Sequence, residues 1–247
     1  MKRTLLLLIA ASFFAPAAWG KPQKSVKPKP PEKIEEPLSL STAAPHSVPE
    51  LIAHFQEIDR RLTSLSAKFS QSLTMADAGM AQRVEGTLEY AKPNHLRVEH
   101  SKPQRQVFVS DGSKIWVHRV DQNQVIQSSL SDWKRSDPLF NNLLDFGNYA
   151  KLLETYDVAF DTAAMKATLT PKGKVEQPFA LRLILAGKNL FPMHTELDVG
   201  STKIRTALED VRFNVKIPEA RFRFVVPPGA DVFDNFKPPM RSEEPKK

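Results

Sequence analysis

Cysteine is absent from the 247 residues, and glycine is scarce at nine. Without cysteine there is no disulfide framework, no thiolate-held zinc or iron–sulfur site and no cysteine nucleophile. A lipid anchor built on a cysteine just behind an export signal is excluded on the same ground. The few glycines leave little material for a phosphate cradle, and no G-x-G-x-x-G or Walker-type loop occurs. G-x-S-x-G and H-E-x-x-H are also missing. The six histidines offer no ligand pair at helical or same-face strand spacing. His95 and His100, five apart, would point to opposite faces of one strand. The carboxylates mostly occupy the polar positions of alternating strands, where a solvated face is their simplest role. The chain is therefore not expected to be an enzyme, and no metal or cofactor is expected.

Charge of one sign is not in large excess. The formal net charge is +7, and discounting Lys2 and Arg3 brings it to about +5, modest for this length. Arg97, His100, Lys102 and Arg105 gather around one turn, but no ladder of aromatic residues accompanies them, so a nucleic-acid partner is not expected.

What is present begins with an address. Lys2 and Arg3, an apolar run over residues 5–14 and Ala18-Trp19-Gly20 read as an export signal over residues 1–20. The run falls short of the roughly 20 apolar residues that cross a bilayer, so cleavage is the favoured reading and an uncleaved anchor the other. The mature chain is then expected in the bacterial periplasm. Residues 21–47 are rich in Pro and Lys and poor in aromatics, which predicts a disordered leader, either passive or a spacer. Residues 237–247 read as a shorter disordered tail. One domain remains, 48–236, long enough to bury a real core.

That domain opens on a helix. Ser47 and Glu50 form an S-x-x-E signature with Pro49 in the first turn, and Leu51, Phe55, Ile58, Leu62 and Leu65 recur at helical spacing. The period then drops to two. Val84, Gly86, Leu88 and Tyr90 alternate with charged and polar residues, Leu96 and Val98 repeat the pattern, and Val107, Val109, Ile115 and Val117 follow. Turn signals at Lys92-Pro93-Asn94, Ser110-Asp111-Gly112 and Asp121-Gln122-Asn123 come too close together for crossover helices, so the sheet is predicted to be antiparallel. Residues 137–146 read as a second helix, greasy on more than one face, before Gly147. Further strands are expected near 156–161, 166–170, 179–185, 193–199, 203–209 and 221–226.

The prediction is a mainly β fold with some helix: an incomplete antiparallel barrel of about ten to eleven strands, its concavity covered by two or three short helices. Val84, Leu88, Tyr90, Leu96, Val98, Val107, Val109, Ile115 and Val117 are the candidate lining. Phe55, Ile58, Leu62, Leu139, Phe140, Leu143, Leu144 and Phe146 are the candidate lid. The residues alone leave a dry core and a ligand cavity equally open.

Phe69-Ser70-Gln71, Gly86-Thr87-Leu88, Lys92-Pro93-Asn94, Val109-Ser110-Asp111-Gly112 with Trp116, Leu169-Thr170-Pro171-Lys172, and Phe222-Arg223-Phe224 with Pro227-Pro228-Gly229 occur in this order. Together they resemble the signature of the periplasmic outer-membrane lipoprotein carriers, the LolA-like family. The resemblance implies a monomeric carrier whose apolar cavity shields the acyl chains of a lipoprotein. It implies as partners acylated lipoproteins, an ATP-driven inner-membrane extractor of the ABC type and an outer-membrane acceptor that is itself a lipoprotein. The missing cysteine favours carrier over acceptor. Where the family places an arginine that latches the lid, this chain has Lys92, which keeps the charge but loses the planar fork of donors. Carriers or sensors of other envelope lipids, and a purely structural envelope protein, are the rival readings.

Overall fold

The structure is a computed structural model that describes residues 38, 43–136, 146–175 and 177–234. The export signal, the tail over 237–247, and Leu139, Phe140, Leu143 and Leu144 of the candidate lid lie outside those residues. Leu38 and Pro45, from the expected leader, are both buried.

Helix α1 runs Val48–Arg61. Ser47 Oγ accepts from the Glu50 amide at 3.4 Å, while the Glu50 carboxylate reaches past Ser47 to accept from the His46 amide at 2.9 Å. The reciprocal half of the capping signature is thus shifted by one residue. The apolar stripe extended to Leu65 in the sequence, but the helix stops at Arg61. Leu62 turns into extended backbone, and Leu65 already belongs to the first strand.

Twelve strands follow among the described residues: β1 Ser64–Met75, β2 Met80–Ala91, β3 His95–Lys102, β4 Gln106–Asp111, β5 Lys114–Arg119, β6 Gln124–Ser129, β7 Asp157–Asp161, β8 Lys166–Thr170, β9 Phe179–Ala186, β10 Phe191–Val199, β11 Thr202–Phe213 and β12 Asp231–Asp234. They form one open, curled sheet in the order β12-β6-β5-β4-β3-β2-β1-β11-β10-β9-β8-β7. Successive hairpins from β1 to β6 run outward on one side, and β7 to β11 return to pair β11 with β1. The pairing is antiparallel except at one edge, where β12 runs parallel to β6. A single sequence gives no sign of that strand's partner, because a chain that returns from far away carries no local turn to fix its direction.

Among the described residues two short helices, α2 Leu130–Ser136 and α3 Tyr149–Thr155, interrupt the meander. The Phe55 and Tyr149 rings of α1 and α3 meet with centroids 5.2 Å apart, and Tyr149 stands edge-on to Phe191 at 5.6 Å. Trp133 of α2 packs edge-on against Phe108 of β4 at 5.6 Å. The helices therefore lie on one face of the sheet, the inner face, and one contiguous apolar core fills the space between.

The strand expected near 221–226 is absent. Prolines at 218, 227 and 228 bracket this stretch, and it forms a 3-10 turn, Glu219–Phe222, followed by irregular chain that straps the outer face of β3 to β5. Phe222 packs on His95 at 5.3 Å and Phe224 stacks on Trp116 at 5.8 Å, while Arg221 donates to Glu89 at 2.8 Å and Glu99 at 3.2 Å. The two phenylalanines of Phe222-Arg223-Phe224 thereby bury a second, smaller apolar layer.

Candidate functional site

Cross-strand register decides which residues face the helices, since directly paired residues share a face. One row runs Ala67–Leu88–Val98–Phe108–Val117–Ile126, and the next Leu65–Tyr90–Leu96–Ser110–Ile115. Seven of the candidate lining residues, Val84, Leu88, Tyr90, Leu96, Val98, Ile115 and Val117, stand together on this inner face and belong to the core. Val107 and Val109 do not. Val107 pairs with Glu99 and His118, Val109 with Arg97 and Trp116, and all of these face outward. In Val107-Phe108-Val109 three apolar residues follow one another, so alternation alone does not say which set points inward. The pairing of Phe108 with Val98 and Val117 does. Val109 is nonetheless fully buried, because the strap covers it.

From the candidate lid, Phe55, Ile58 and Leu62 are fully buried, and Phe146 packs against Tyr90 with ring centroids 5.6 Å apart. Lys92 is exposed at the β2–β3 turn, where its Nζ donates to the carbonyl of Asp59, one of the last-turn carbonyls that helix α1 cannot satisfy itself. Its stem lies against Gly147. A Cβ on that glycine would meet Lys92 Cε at 2.6 Å and the Tyr90 hydroxyl at 2.7 Å, so any larger residue there would have to displace the ends of these two side chains.

Asp59 itself was not singled out from the sequence, yet it joins the helices. Its carboxylate accepts from the Tyr149 amide at 3.0 Å and the Ala150 amide at 2.9 Å, capping α3 from 90 residues away. The residue at the local N-cap position, Asn148, makes no side-chain cap bond. Asp59 therefore binds α3 through its side chain and Lys92 through its backbone, so strand turn, α1 and α3 are clasped at one residue.

His95 and His100 stand on opposite faces of β3. His95 meets the strap, whereas His100 points inward and packs edge-on against Phe69 at 5.7 Å. Burial pushes the His100 imidazole from its ordinary 6.5 down to about 4. Between those values the unfolded chain takes up a proton that the folded one refuses, so stability is full above about pH 6.5 and falls by at most about 3 kcal/mol toward pH 4. Unfolding midpoints should drop more steeply over this window in the native protein than in His100→Leu. Equal slopes would contradict a buried neutral imidazole.

The outer face carries a separate cleft of about 470 Å³ across β2, β1, β11, β10 and β9. Its lining includes the outward residues Arg83, Ile184, His194 and Arg205, and Gln71, Thr206 and Thr195 at the centres of their strands also border it. Arg205 is already paired with Glu196 at 3.3 Å. This cleft lies on the wrong side of the sheet to belong to the apolar face beneath the helices. Among the described residues no group of three or more His, Asp or Glu could hold a metal ion, and no helix is long and apolar enough to cross a membrane.

Comparison with known proteins bears on the whole arrangement. The family model described as "Outer membrane lipoprotein carrier protein LolA" matches residues 60–225, from the end of α1 to the strap. The chain belongs to this family. An outer-membrane lipoprotein carrier protein of Chromohalobacter salexigens is 31% identical over 173 residues, covering 69% of this chain and 80% of that one. Carriers so named from Methylibium petroleiphilum and Leptothrix cholodnii are 30% and 29% identical, over 67% and 73% of this chain and 80% and 84% of theirs. The LolA match takes in the inner-face strands, the Lys92 turn, α3 and the Phe222-Arg223-Phe224 strap alike.

Proposed function

We propose that the chain is a periplasmic carrier that holds the acyl chains of lipoproteins against its inner face and moves them from an inner-membrane ABC-type extractor to an outer-membrane acceptor. Membership of the LolA family carries this reading, and the geometry supplies a physical basis for it. Each buried methylene contributes roughly 0.8 kcal/mol, so one long acyl chain opposes free passage through water by about 10 kcal/mol. An apolar sheet face under separable helices can offset that cost without forming any bond.

Parting the helices from the sheet is then the working motion. The clasp at Asp59 sets how readily it happens, with Lys92 in the role the family gives to arginine. Lys92→Met keeps the aliphatic stem and removes the donor. It should lower stability by less than about 1 kcal/mol, as loss of one exposed hydrogen bond does, yet hasten amide exchange in α1 and α3 several-fold. Exchange rates equal to wild type would remove Lys92 from the latch.

The function is tested by adding the purified protein to spheroplasts. Lipoproteins should leave the inner membrane in an equimolar complex with it, and pass to outer-membrane vesicles that bear the acceptor. No release above the level seen with an unrelated periplasmic protein would contradict the carrier reading.

A further inference from the structure

The inner face is not uniformly apolar. One row across the sheet runs Val84–Gln71–Thr206–Thr195–Leu183, with three polar side chains side by side in the middle. Its neighbours on β1, Phe69 and Leu73, are both buried. Gln71 Nε2 donates to Thr206 Oγ1 at 2.9 Å, whereas Gln71 Oε1 is buried and accepts from nothing among the described residues. The Thr206 oxygen takes the glutamine's proton and so keeps its own hydroxyl proton to give. Together with the Thr195 hydroxyl, the row presents one waiting acceptor beside two donors, sunk in an apolar surface.

A buried acceptor left without a donor costs stability, and replacing glutamine with an aliphatic residue would remove the cost. A binding role accounts for the arrangement. Acyl chains enter an apolar cavity attached to polar linkages, and each linkage must lose its water as it enters. An ester brings acceptors only. A secondary amide brings an N–H for Gln71 Oε1 and a carbonyl for the threonine hydroxyls, which is the complement of this row.

We infer that Gln71, with Thr206 and Thr195, is the site that receives the N-acyl amide of the cargo, and that it makes the carrier prefer lipids whose acyl group is joined through nitrogen. The inference rests on the carrier reading and adds a selectivity to it.

Two probes test it: a synthetic tripalmitoylated lipopeptide with its N-palmitoyl amide, and the same molecule with that N–H replaced by an ester oxygen. The native protein should bind the amide about tenfold more tightly. In Gln71→Leu the two affinities should come within twofold of each other, chiefly through loss on the amide probe, while the unfolding midpoint stays level or rises. Gln71→Met, unbranched and of similar length, should behave alike and serves if the leucine variant folds poorly. Equal affinity of the native protein for both probes would overturn the amide site, with Oε1 then satisfied by water, and would leave the carrier reading standing. A preference that persists in both variants would move the site away from Gln71. Binding of neither probe would overturn both readings.

Discussion

Gly86→Ala should cost about 3 kcal/mol or more, the largest loss expected from any single methyl group added to this fold. The reason is space rather than backbone freedom. A Cβ at this position would sit well inside contact distance of the Glu99 carbonyl oxygen and 2.8 Å from Phe69 Cε1. The first obstacle is backbone of the paired strand, and the second is a buried ring held between β2 and His100. Neither can rotate away. The β2–β3 register already shifts between Glu85 and Gly86, so the pairing has used its local slack. Denaturant titration reads the effect directly. A loss under about 1 kcal/mol would show that β2 and β3 part easily here, and the tight packing of Phe69 would have to be abandoned.

Leu208→Glu should reduce lipid binding at least 100-fold with little loss of fold. Leu208 pairs with Phe69 and so faces the helices, but it is only half-buried, and a glutamate there can find water in the empty protein. With an acyl chain laid across it the carboxylate would be stripped of water. That penalty exceeds the roughly 3 kcal/mol that a 100-fold change represents. Val109→Ala is the matched control. It removes methyl groups from the opposite face, under the strap, and should lower stability by about 1 kcal/mol while leaving lipid affinity unchanged. Undiminished binding by Leu208→Glu would place the acyl chains away from the inner face, and the outer cleft near Arg205 would be the next surface to probe.

The contrast between Leu208 and Val109 also shows where the sequence could be read and where it could not. The alternation from Val84 to Tyr90 placed the second half of β2 and its inward set correctly, because every second residue there is charged or polar. Val107-Phe108-Val109 offered no such contrast, and only the pairing with Val98 and Val117 tells that the phenylalanine points inward. The antiparallel pairing of most strands followed from turn spacing, and the curled, incomplete barrel from the need to cover one apolar face and from the family signature; the closure of β11 onto β1 did not. The parallel strand β12 and the strap before it did not, since both are held by tertiary contacts such as Arg221 with Glu89 and Glu99.

Helix α3 is the plainest case. Residues 149–155 lack a local side-chain cap, and seven residues are too few to hold a helix on propensity. Its N-terminus is satisfied by Asp59, which in sequence is simply one more charged residue on the polar side of α1. Lys92 was singled out only through the family resemblance, while the partner it meets in the structure, a helix-end carbonyl, has no signature of its own. Gln71 was visible only as part of Phe69-Ser70-Gln71. What sets it apart is a buried oxygen, a property that arises when β1, β11 and β10 come together.

Native mass spectrometry of the mature protein recovered from its own host's envelope, followed by lipid extraction, tests the central claim most directly. The carrier account predicts an equimolar complex with acylated lipoproteins, lost in Leu208→Glu and retained in Val109→Ala. A reproducibly empty protein, or one carrying only a protein-free lipid, would contradict it.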